Sequence, residues 1–281
     1  MRDDFAVFIM VYGRPQEMWT YDSLRRGGYT GKIYLVADNT DEAVDGYRER
    51  YGDDLLVFDK HEAYKKMDSG DNSGDLRSTL YSANTIFDLA RERGIKYFMI
   101  MCDDYLNFNY THDIDFNYKK RPIKSLDKII NIMIEFYKNT PTMTLAMAQG
   151  GDFIGGKQSK NTDVQLMRKA MNTFLCDVDR PFQFMGRLNE DVTTYVNLGS
   201  KGKLFFTTTN LNINQQVSQS REGGLTDVYL DYGTYVKSFF SVMYNPSSVV
   251  VSIMHAKNER IHHAVRWGNA VPKIISEDYK I

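Results

Sequence analysis

The sequence of 281 residues is long enough for one large domain or two closely joined ones, and its 42% of apolar residues suits a substantial core. A formal net charge of −1 gives no overall positive field of the kind that marks nucleic-acid-binding proteins, although a local basic face is compatible with that mean. The 2 cysteines, Cys102 and Cys176, form no C-x-x-C pattern, so a reducing compartment fits better than a disulfide framework. Because no apolar run is long enough to span a membrane, we expect a cytoplasmic protein without a membrane partner.

The first part of the chain predicts alternating strands and helices. Residues 5–12 are a continuous apolar run, which is typical of a strand buried on both faces. A helix is expected between Pro15 and Gly27, since proline is favoured in the first helical turn and glycine just after the last. Polar residues 61–75 predict a mobile loop. Further strands are predicted at 32–38, 55–59, 95–105 and 142–149, and further helices at 40–52, 76–94 and 124–139.

This alternation implies an α/β fold with a mostly parallel sheet and helices on both faces. After residue 150 the alternation stops, beginning with the glycine-rich stretch at 150–156, and short strands mix with polar loops. We therefore expect residues 1–150 to form a nucleotide-binding α/β half. Residues 151–281 are expected to form a smaller, mixed C-terminal extension that completes the site within the same compact domain.

Polar residues follow four of the predicted strands. Because the carboxyl ends of parallel strands meet at one edge of the sheet, where open α/β sheets bind their ligands, these residues are expected to converge on one crevice. They are Gly13-Arg14-Pro15, Asp38-Asn39, Asp59-Lys60 and Asp103-Asp104.

The adjacent acids Asp103 and Asp104 end the strand "YFMIMC" and give the most specific signal. Neighbouring carboxylates repel each other, and a cation that prefers oxygen ligands, Mg²⁺ or Mn²⁺, would compensate their charge and bridge to a diphosphate. The structural alternative is a pair of turn aspartates, which are common at strand ends.

Other candidate residues lie in the second half of the chain. Glu190 and Asp191 begin a short amphipathic helix, where acids either interact with the helix dipole or supply a general base. His255 ends an apolar strand and is either a metal ligand or a surface histidine. Neither a P-loop nor an H-E-x-x-H motif occurs in the sequence.

The order of these segments resembles the GT-A-type glycosyltransferases. The resemblance rests on "FIMVYGRPQEMWTYDSL", "IYLVADNTDE", "YSANTIFDLARERGIKYFMIMCDDY" and "LNED". It departs from the family at Cys102, where many relatives carry another acid. By residue, the resemblance implies the following roles: nucleotide-sugar binding by Gly13, Arg14, Asp38, Arg77, Asn84 and Asp103, metal binding by Asp103, Asp104 and His255, and base catalysis by Asp191, with Glu190 as second choice.

A narrower resemblance is to the TET/JBP-associated glycosyltransferases, which are encoded largely by bacteriophages. It rests on "GRP", "CDDY" and the tail "HAKNERIHHAVRWGNAVPKI". The resemblance implies a UDP-sugar donor, Mn²⁺ or Mg²⁺ as cofactor, and 5-hydroxymethylpyrimidine in DNA as the acceptor, with inversion at the sugar. The basic stretch 157–172 and the amide-rich stretch 210–224 contain groups that can contact DNA, although solvated loops have the same composition.

Three alternatives remain open on the sequence. The first is the same donor chemistry on a polysaccharide, lipid or protein acceptor. The second is a catalytically inert GT-A-like module that binds nucleotide or DNA. The third is nucleotidyl transfer, which also uses paired acids and a metal and would release pyrophosphate.

Overall fold

A ten-stranded sheet runs through the residues that the computed structural model describes, which are 1–149, 163–216, 225–255 and 259–273. Its strands are β1 (Phe5–Met10), β2 (Lys32–Asp38), β3 (Leu55–Phe58), β4 (Tyr97–Cys102), β5 (Tyr105–His112), β6 (Tyr118–Pro122), β7 (Thr142–Gln149), β8 (Val164–Gln165), β9 (Phe174–Asp177) and β10 (Leu204–Gln215). Strands β11 (Val249–Met254) and β12 (Arg260–Val265) form a separate antiparallel pair.

The described helices are α1 (Trp19–Arg26), α2 (Val44–Tyr51), α3 (Lys60–Lys66), α4 (Leu80–Glu92), α5 (Leu126–Lys138), α6 (Glu190–Ser200), α7 (Leu225–Tyr232), α8 (Val236–Tyr244) and α9 (Trp267–Ala270). No helix within the described ranges is long and apolar enough to cross a membrane.

The strand order is β3-β2-β1-β4-β9-β7-β10-β5-β6, with β8 paired to β10. Strands β1 to β4, β7 and β10 run in one direction, while β9 and β5 are antiparallel to their neighbours. The predicted α/β fold with a mostly parallel sheet is confirmed. The carboxyl ends of the parallel strands therefore share one edge, which we call the catalytic edge.

Helices cover both faces of the sheet, as predicted. Successive side chains of a strand point to opposite faces, so Phe8 of β1 packs in a core with α4 and α6. Its neighbours Val7 and Ile9 pack in a second core with α1, α2 and α5. Burial on both faces explains why β1 has no polar residue between Phe5 and Met10.

The predicted mobile loop at 61–75 is wrong in its first part. Helix α3 occupies Lys60–Lys66, and the side chain of Asp59 caps it by accepting a hydrogen bond from the backbone N–H of Glu62 at 2.9 Å. Because this short surface helix is mostly polar, its sequence lacks the apolar period that predicts a helix. The glycine-rich stretch at 150–156 lies outside the described residues.

Candidate active site

The loop after β1 and the turn after β4 meet at the catalytic edge. The Arg14 guanidinium lies 3.1 Å from Oδ2 and 3.3 Å from Oδ1 of Asp103, which is 7% exposed. The loop is fixed from α2 and the segment before it, because the N–H of Gly13 donates to Asp41 at 2.9 Å and that of Arg14 donates to the Tyr47 hydroxyl at 2.9 Å. The structure thus brings together three residues predicted from the sequence: Gly13, Arg14 and Asp103.

The turn that carries Asp103 and Asp104 is held from two sides. Thr20 of α1 donates its backbone N–H to the Asp103 carbonyl at 3.1 Å and its hydroxyl to the Cys102 carbonyl at 2.6 Å. From the other side, the N–H of Gln216 donates to the Asp104 carbonyl at 3.2 Å. The backbone of the turn is therefore fixed by α1 and by the residue that follows β10.

Cys102 precedes the two acids, at the position where the resemblance leads one to expect a carboxylate. Burial, and then the charges of Asp104 and Asp103, raise the pKa of the Cys102 thiol well above its ordinary value. The thiol stays protonated at neutral pH, and a protonated thiol is a poor metal ligand. The oxygen donors of this turn are those of Asp103 and Asp104.

Asp38 ends β2 in a buried ion pair. Its Oδ2 lies 2.9 Å from Nζ of Lys60, and the two side chains are 5% and 7% exposed. The ammonium group of Lys60 also lies 5.2 Å from the ring centroid of Tyr12, which is 40% exposed beside the pair. Asp38 is thus fixed at the catalytic edge next to an accessible aromatic ring. Tyr12 was missed at the sequence level because it reads as the last apolar residue of the strand.

Glu190 and Asp191 lie at the N-terminus of α6. Glu190 accepts a short hydrogen bond from the Thr79 hydroxyl, and it keeps some solvent contact although protein surrounds most of it. Burial, and then the neighbouring Asp191 charge, raise the pKa of Glu190 to about 7. Burial likewise raises the pKa of Asp191. Glu190 also acts electrostatically on the Cys102 thiol, so the acidic pair lies within electrostatic range of the Asp103 turn.

Cations face the acidic pair. Lys169 and Lys237 both interact electrostatically with Asp191, and burial lowers the pKa of each lysine. Burial, and then these positive charges, lower the pKa of His262 to about 4. Burial, then His262 and then the two lysines lower the pKa of His263 to about 3, so both imidazoles are neutral at pH 7. Lys169 belongs to the basic stretch 157–172 that the sequence offered for DNA contact, whereas Lys237 belongs to no such stretch. Only the packing of α8 and of the segment before β9 brings the two lysines to the acidic pair.

Arg77, Asn84 and His255, three residues predicted for the site, form side-chain hydrogen bonds or ion pairs with other parts of the chain. Arg77 binds Asp75 with two nitrogens, at 3.0 and 2.9 Å, and a third nitrogen lies 2.7 Å from Asp231. The Asn84 amide donates to the Phe184 carbonyl at 3.0 Å and accepts from its N–H at 2.7 Å. Both side chains fix neighbouring segments of the chain.

His255 is exposed beyond β11, and its Nδ1 lies 2.7 Å from a carboxylate oxygen of Glu259. In the described part of the chain, no group of three or more His, Cys, Asp or Glu side chains is arranged to hold a metal ion. The ligand role of His255, like the donor-binding roles of Arg77 and Asn84, stays a prediction.

An amide cluster lies at the carboxyl ends of β7 and β10. Nε2 of Gln149 lies 3.3 Å, and Nδ2 of Asn172 lies 3.0 Å, from Oε1 of Gln215. The Tyr105 hydroxyl, next to the acidic turn, donates to the Asn172 carbonyl at 2.5 Å. Asn212, from the same amide-rich stretch, is instead 1% exposed within the sheet. Of the two stretches considered for DNA contact, residues 157–162 and 217–224 lie outside the described ranges.

Comparison with known proteins gives a family. The family model described as TET-Associated Glycosyltransferase matches residues 5–224. Among solved structures, the chain is similar to glucosyl-3-phosphoglycerate synthase from Mycobacterium tuberculosis, determined in complex with Mn²⁺, uridine diphosphate and phosphoglyceric acid. That similarity has a TM-score of 0.44 and 7% sequence identity, and it covers 93% of this chain and 86% of the other. No curated protein sequence matches the chain.

Proposed function

The chain belongs to the TET-associated glycosyltransferase family, and from this premise we propose that it transfers a sugar from a UDP-sugar to the hydroxyl of a 5-hydroxymethylpyrimidine in DNA. The observation that carries the proposal is the carboxyl group of Glu190, whose pKa of about 7 suits a general base. It lies within electrostatic range of the Asp103 turn, where the Arg14 guanidinium offers positive charge to a sugar-nucleotide diphosphate and the carboxylates of Asp103 and Asp104 offer ligands to a divalent cation.

The donor nucleotide is assigned to the catalytic edge. The ring of Tyr12 offers a stacking surface for the base, and Asp38, held by Lys60, offers an acceptor for the single N–H of uracil. Arg14 can bind a phosphate, since guanidinium groups match phosphate oxygens in pairs. In this arrangement Asp103 orients the Arg14 side chain.

The residues present fit a divalent cation. Asp103 and Asp104 are hard oxygen donors on one turn, and diphosphate oxygens and water commonly complete the coordination of Mg²⁺ in phosphate sites. A bound Mg²⁺ or Mn²⁺ would neutralise charge on the leaving diphosphate. Arg14 already neutralises part of the Asp103 charge, so we expect the cation and Arg14 to share this carboxylate.

The chemistry assigned to the acidic pair is proton removal. The acceptor hydroxyl oxygen attacks the anomeric carbon as the bond from that carbon to the phosphate oxygen breaks, the hydroxyl proton passes to Glu190, and UDP leaves. Attack opposite the leaving group inverts the anomeric centre. Asp191 was the first choice for the base on the sequence. The pKa of Glu190 now favours that residue, with Asp191 raising its basicity.

The amide cluster suits the acceptor base. A hydroxymethyl group on a stacked base is difficult to reach, so the nucleotide must leave the helix and be recognised by hydrogen bonds to its edge. Gln149, Asn172 and Gln215 offer donors and acceptors at the catalytic edge. We propose that they contact the flipped pyrimidine.

UDP release from a panel of UDP-sugars tests the proposal, with Mn²⁺ and with DNA that contains or lacks 5-hydroxymethylpyrimidine. We expect release that requires both the modified DNA and the cation, with glycosylated nucleoside found after digestion. Release with a polysaccharide, lipid or protein acceptor alone would discard the DNA acceptor. Pyrophosphate release would indicate nucleotidyl transfer, and nucleotide binding without any product would indicate the inert module.

Cation binding is tested separately from activity. Titration calorimetry with Mn²⁺ and UDP should show that Asp104→Asn loses the enhancement of UDP affinity by Mn²⁺, because one of two carboxylate donors is removed. The exposed Asp53→Asn serves as the matched control. Equal enhancement in wild type and Asp104→Asn would contradict the assigned cation site.

A further inference from the structure

The outer edge of the sheet carries a row of cations away from the crevice. Strand β6 ends the strand order, pairs only with β5 among the described strands, and is exposed along its whole length. Its sequence "YKKRP" contributes Lys119, Lys120 and Arg121. None of the three forms an ion pair, within 4.0 Å, with another described residue, although Lys119 interacts electrostatically with the carboxylate of Asp113 in the same hairpin.

The row continues toward the catalytic edge. Arg26, at the end of α1, is exposed and donates to the Leu106 carbonyl of β5 at 2.8 Å. Leu106 follows Tyr105, the first residue of β5, which directly follows the acidic turn. A strand rises about 3.3 Å per residue, so β5 spans roughly 26 Å from that turn to the β6 hairpin. That length corresponds to about eight base pairs of duplex DNA at 3.4 Å per pair.

Aromatic side chains lie beside these cations. Phe116 and Tyr118 are 42% and 39% exposed, and Phe116 stacks on His112 with ring centroids 4.5 Å apart. The nearby carboxylate of Asp113 closes the hairpin turn, because its Oδ1 accepts backbone hydrogen bonds from Asp115 and Asn117, each at 3.0 Å. The edge therefore presents positive charge and exposed rings together on a chain whose net charge is −1.

Charge on an exposed strand also has a purely protective use. Edge strands commonly carry lysine or proline, which prevent pairing with another chain, and β6 ends at Pro122. Protection requires charge of either sign, whereas binding of phosphate requires positive charge. Charge reversal therefore separates the two uses.

We propose that Lys119, Lys120 and Arg121, together with Arg26, bind backbone phosphates of duplex DNA and hold the acceptor while one of its nucleotides enters the crevice. The inference rests on the proposed function and adds the surface that positions the duplex. Duplex DNA carries one negative charge per about 1.7 Å of axis, which makes it a suitable partner for a row of cations along an edge. Extrusion of a base also needs contacts to the flanking backbone.

The test compares two triple variants with the same change in net charge. One is Lys119→Glu/Lys120→Glu/Arg121→Glu. The control reverses three exposed lysines around the end of α6 and near the end of the described chain, Lys201→Glu/Lys203→Glu/Lys273→Glu. Anisotropy with a 25-base-pair duplex containing 5-hydroxymethyluracil gives the dissociation constant between 50 and 200 mM salt. Transfer to the free 5-hydroxymethyl nucleoside reports on the crevice itself.

The edge variant is expected to bind duplex on the order of tenfold more weakly, and its slope of log affinity against log salt should fall by about 2 to 3. Its transfer to free nucleoside and its UDP affinity should match wild type. Equal duplex affinity and slope in the edge variant, the control and wild type would overturn the edge assignment while leaving the DNA acceptor intact. Absence of any transfer to modified DNA by wild type would instead overturn the proposed function.

Discussion

The raised pKa of Glu190 connects its burial to its proposed role as the general base. A base with a pKa of about 7 is largely deprotonated at slightly alkaline pH and still accepts a proton effectively. We predict that Glu190→Gln lowers kcat by about 10²- to 10⁴-fold, the usual contribution of a general base. In wild type, kcat should rise with pH and level off above about pH 7. An exposed control, Glu92→Gln, should retain the full rate and the same profile.

The same residue should affect stability in the opposite direction. Its pKa rises from 4.5 in the unfolded chain to about 7 in the folded one, so the folded state binds more protons between these values. Stability therefore falls as pH rises through that window, by on the order of 3 kcal/mol. We predict that Glu190→Gln is more stable than wild type at pH 8 and that the difference shrinks by pH 5. Urea unfolding at the two pH values measures it, and a variant less stable than wild type at pH 8 would contradict the prediction.

The ion pair between Asp38 and Lys60 allows a structural role of Asp38 to be separated from a role in binding the UDP-sugar. Removing one member of a buried pair leaves an uncompensated charge and costs about 3 kcal/mol, whereas replacing both can be nearly neutral. We predict that Asp38→Asn is destabilised and that Asp38→Asn/Lys60→Met recovers stability. If Asp38 contacts the base, both variants should bind UDP more weakly than wild type, which calorimetry would measure. Normal UDP affinity in the double variant would assign Asp38 to the fold alone.

At the scale of elements, Arg187 connects three parts of the chain around the crevice. Its side chain is 4% exposed, and its nitrogens lie 2.8 Å from Asp71 and 3.4 Å from Asp75. Asp75 in turn binds Arg77, which reaches Asp231 on α7. This network fastens the segment between α3 and α4, the remainder of the predicted mobile loop, next to Thr79 and hence to Glu190.

We predict that Arg187→Met destabilises the protein by about 3 kcal/mol, because it leaves the partly buried carboxylates of Asp71 and Asp75 without this cation. Hydrogen exchange should increase in residues 67–79 before the sheet is affected. The matched variant Arg77→Met removes a more exposed guanidinium, 36% exposed, and should cost about 1 kcal/mol or less. Equal effects of the two variants would show that burial does not decide the contribution of this network.

The elements that the sequence predicted are those with a strong hydrophobic pattern. Helix α5, with its apolar period of 3.6 residues, was expected at 124–139 and lies at Leu126–Lys138. Strand β6 has no buried residue, so its composition could not reveal it. Strand β9 is only four residues long and inserts antiparallel between β4 and β7. Such pairing depends on contacts that are remote in sequence.

At the scale of the whole molecule, the site combines residues that short motifs mark with residues that only folding collects. Arg14 and Asp103 follow strands that end at one edge, so topology predicted that they would meet. Lys169 was marked only as part of a basic stretch and Lys237 not at all, yet tertiary packing brings both into electrostatic contact with Asp191. Such groups cannot be predicted without the fold.

The proposed extrusion of the acceptor nucleotide gives a prediction for the complete enzyme. Opening a matched base pair costs a few kcal/mol, and less when the base is mismatched or unpaired. We predict that kcat/KM for 5-hydroxymethyluracil rises several-fold when the base is mismatched in an otherwise identical duplex. The sugar donor, cation and duplex length are kept constant, so the phosphate contacts of the outer edge stay the same.

The free nucleoside is the control for this comparison, because it has no stack to leave and no backbone for the outer edge to hold. Its kcat should equal or exceed that of the duplex, while its KM should be higher since the contacts to Lys119, Lys120 and Arg121 are missing. The Asn172→Ala variant should lose activity on both substrates, as the amide cluster is assigned to the base itself. Equal kcat/KM for matched and mismatched duplexes would mean that the base is reached without extrusion, and the amide cluster would then need another role.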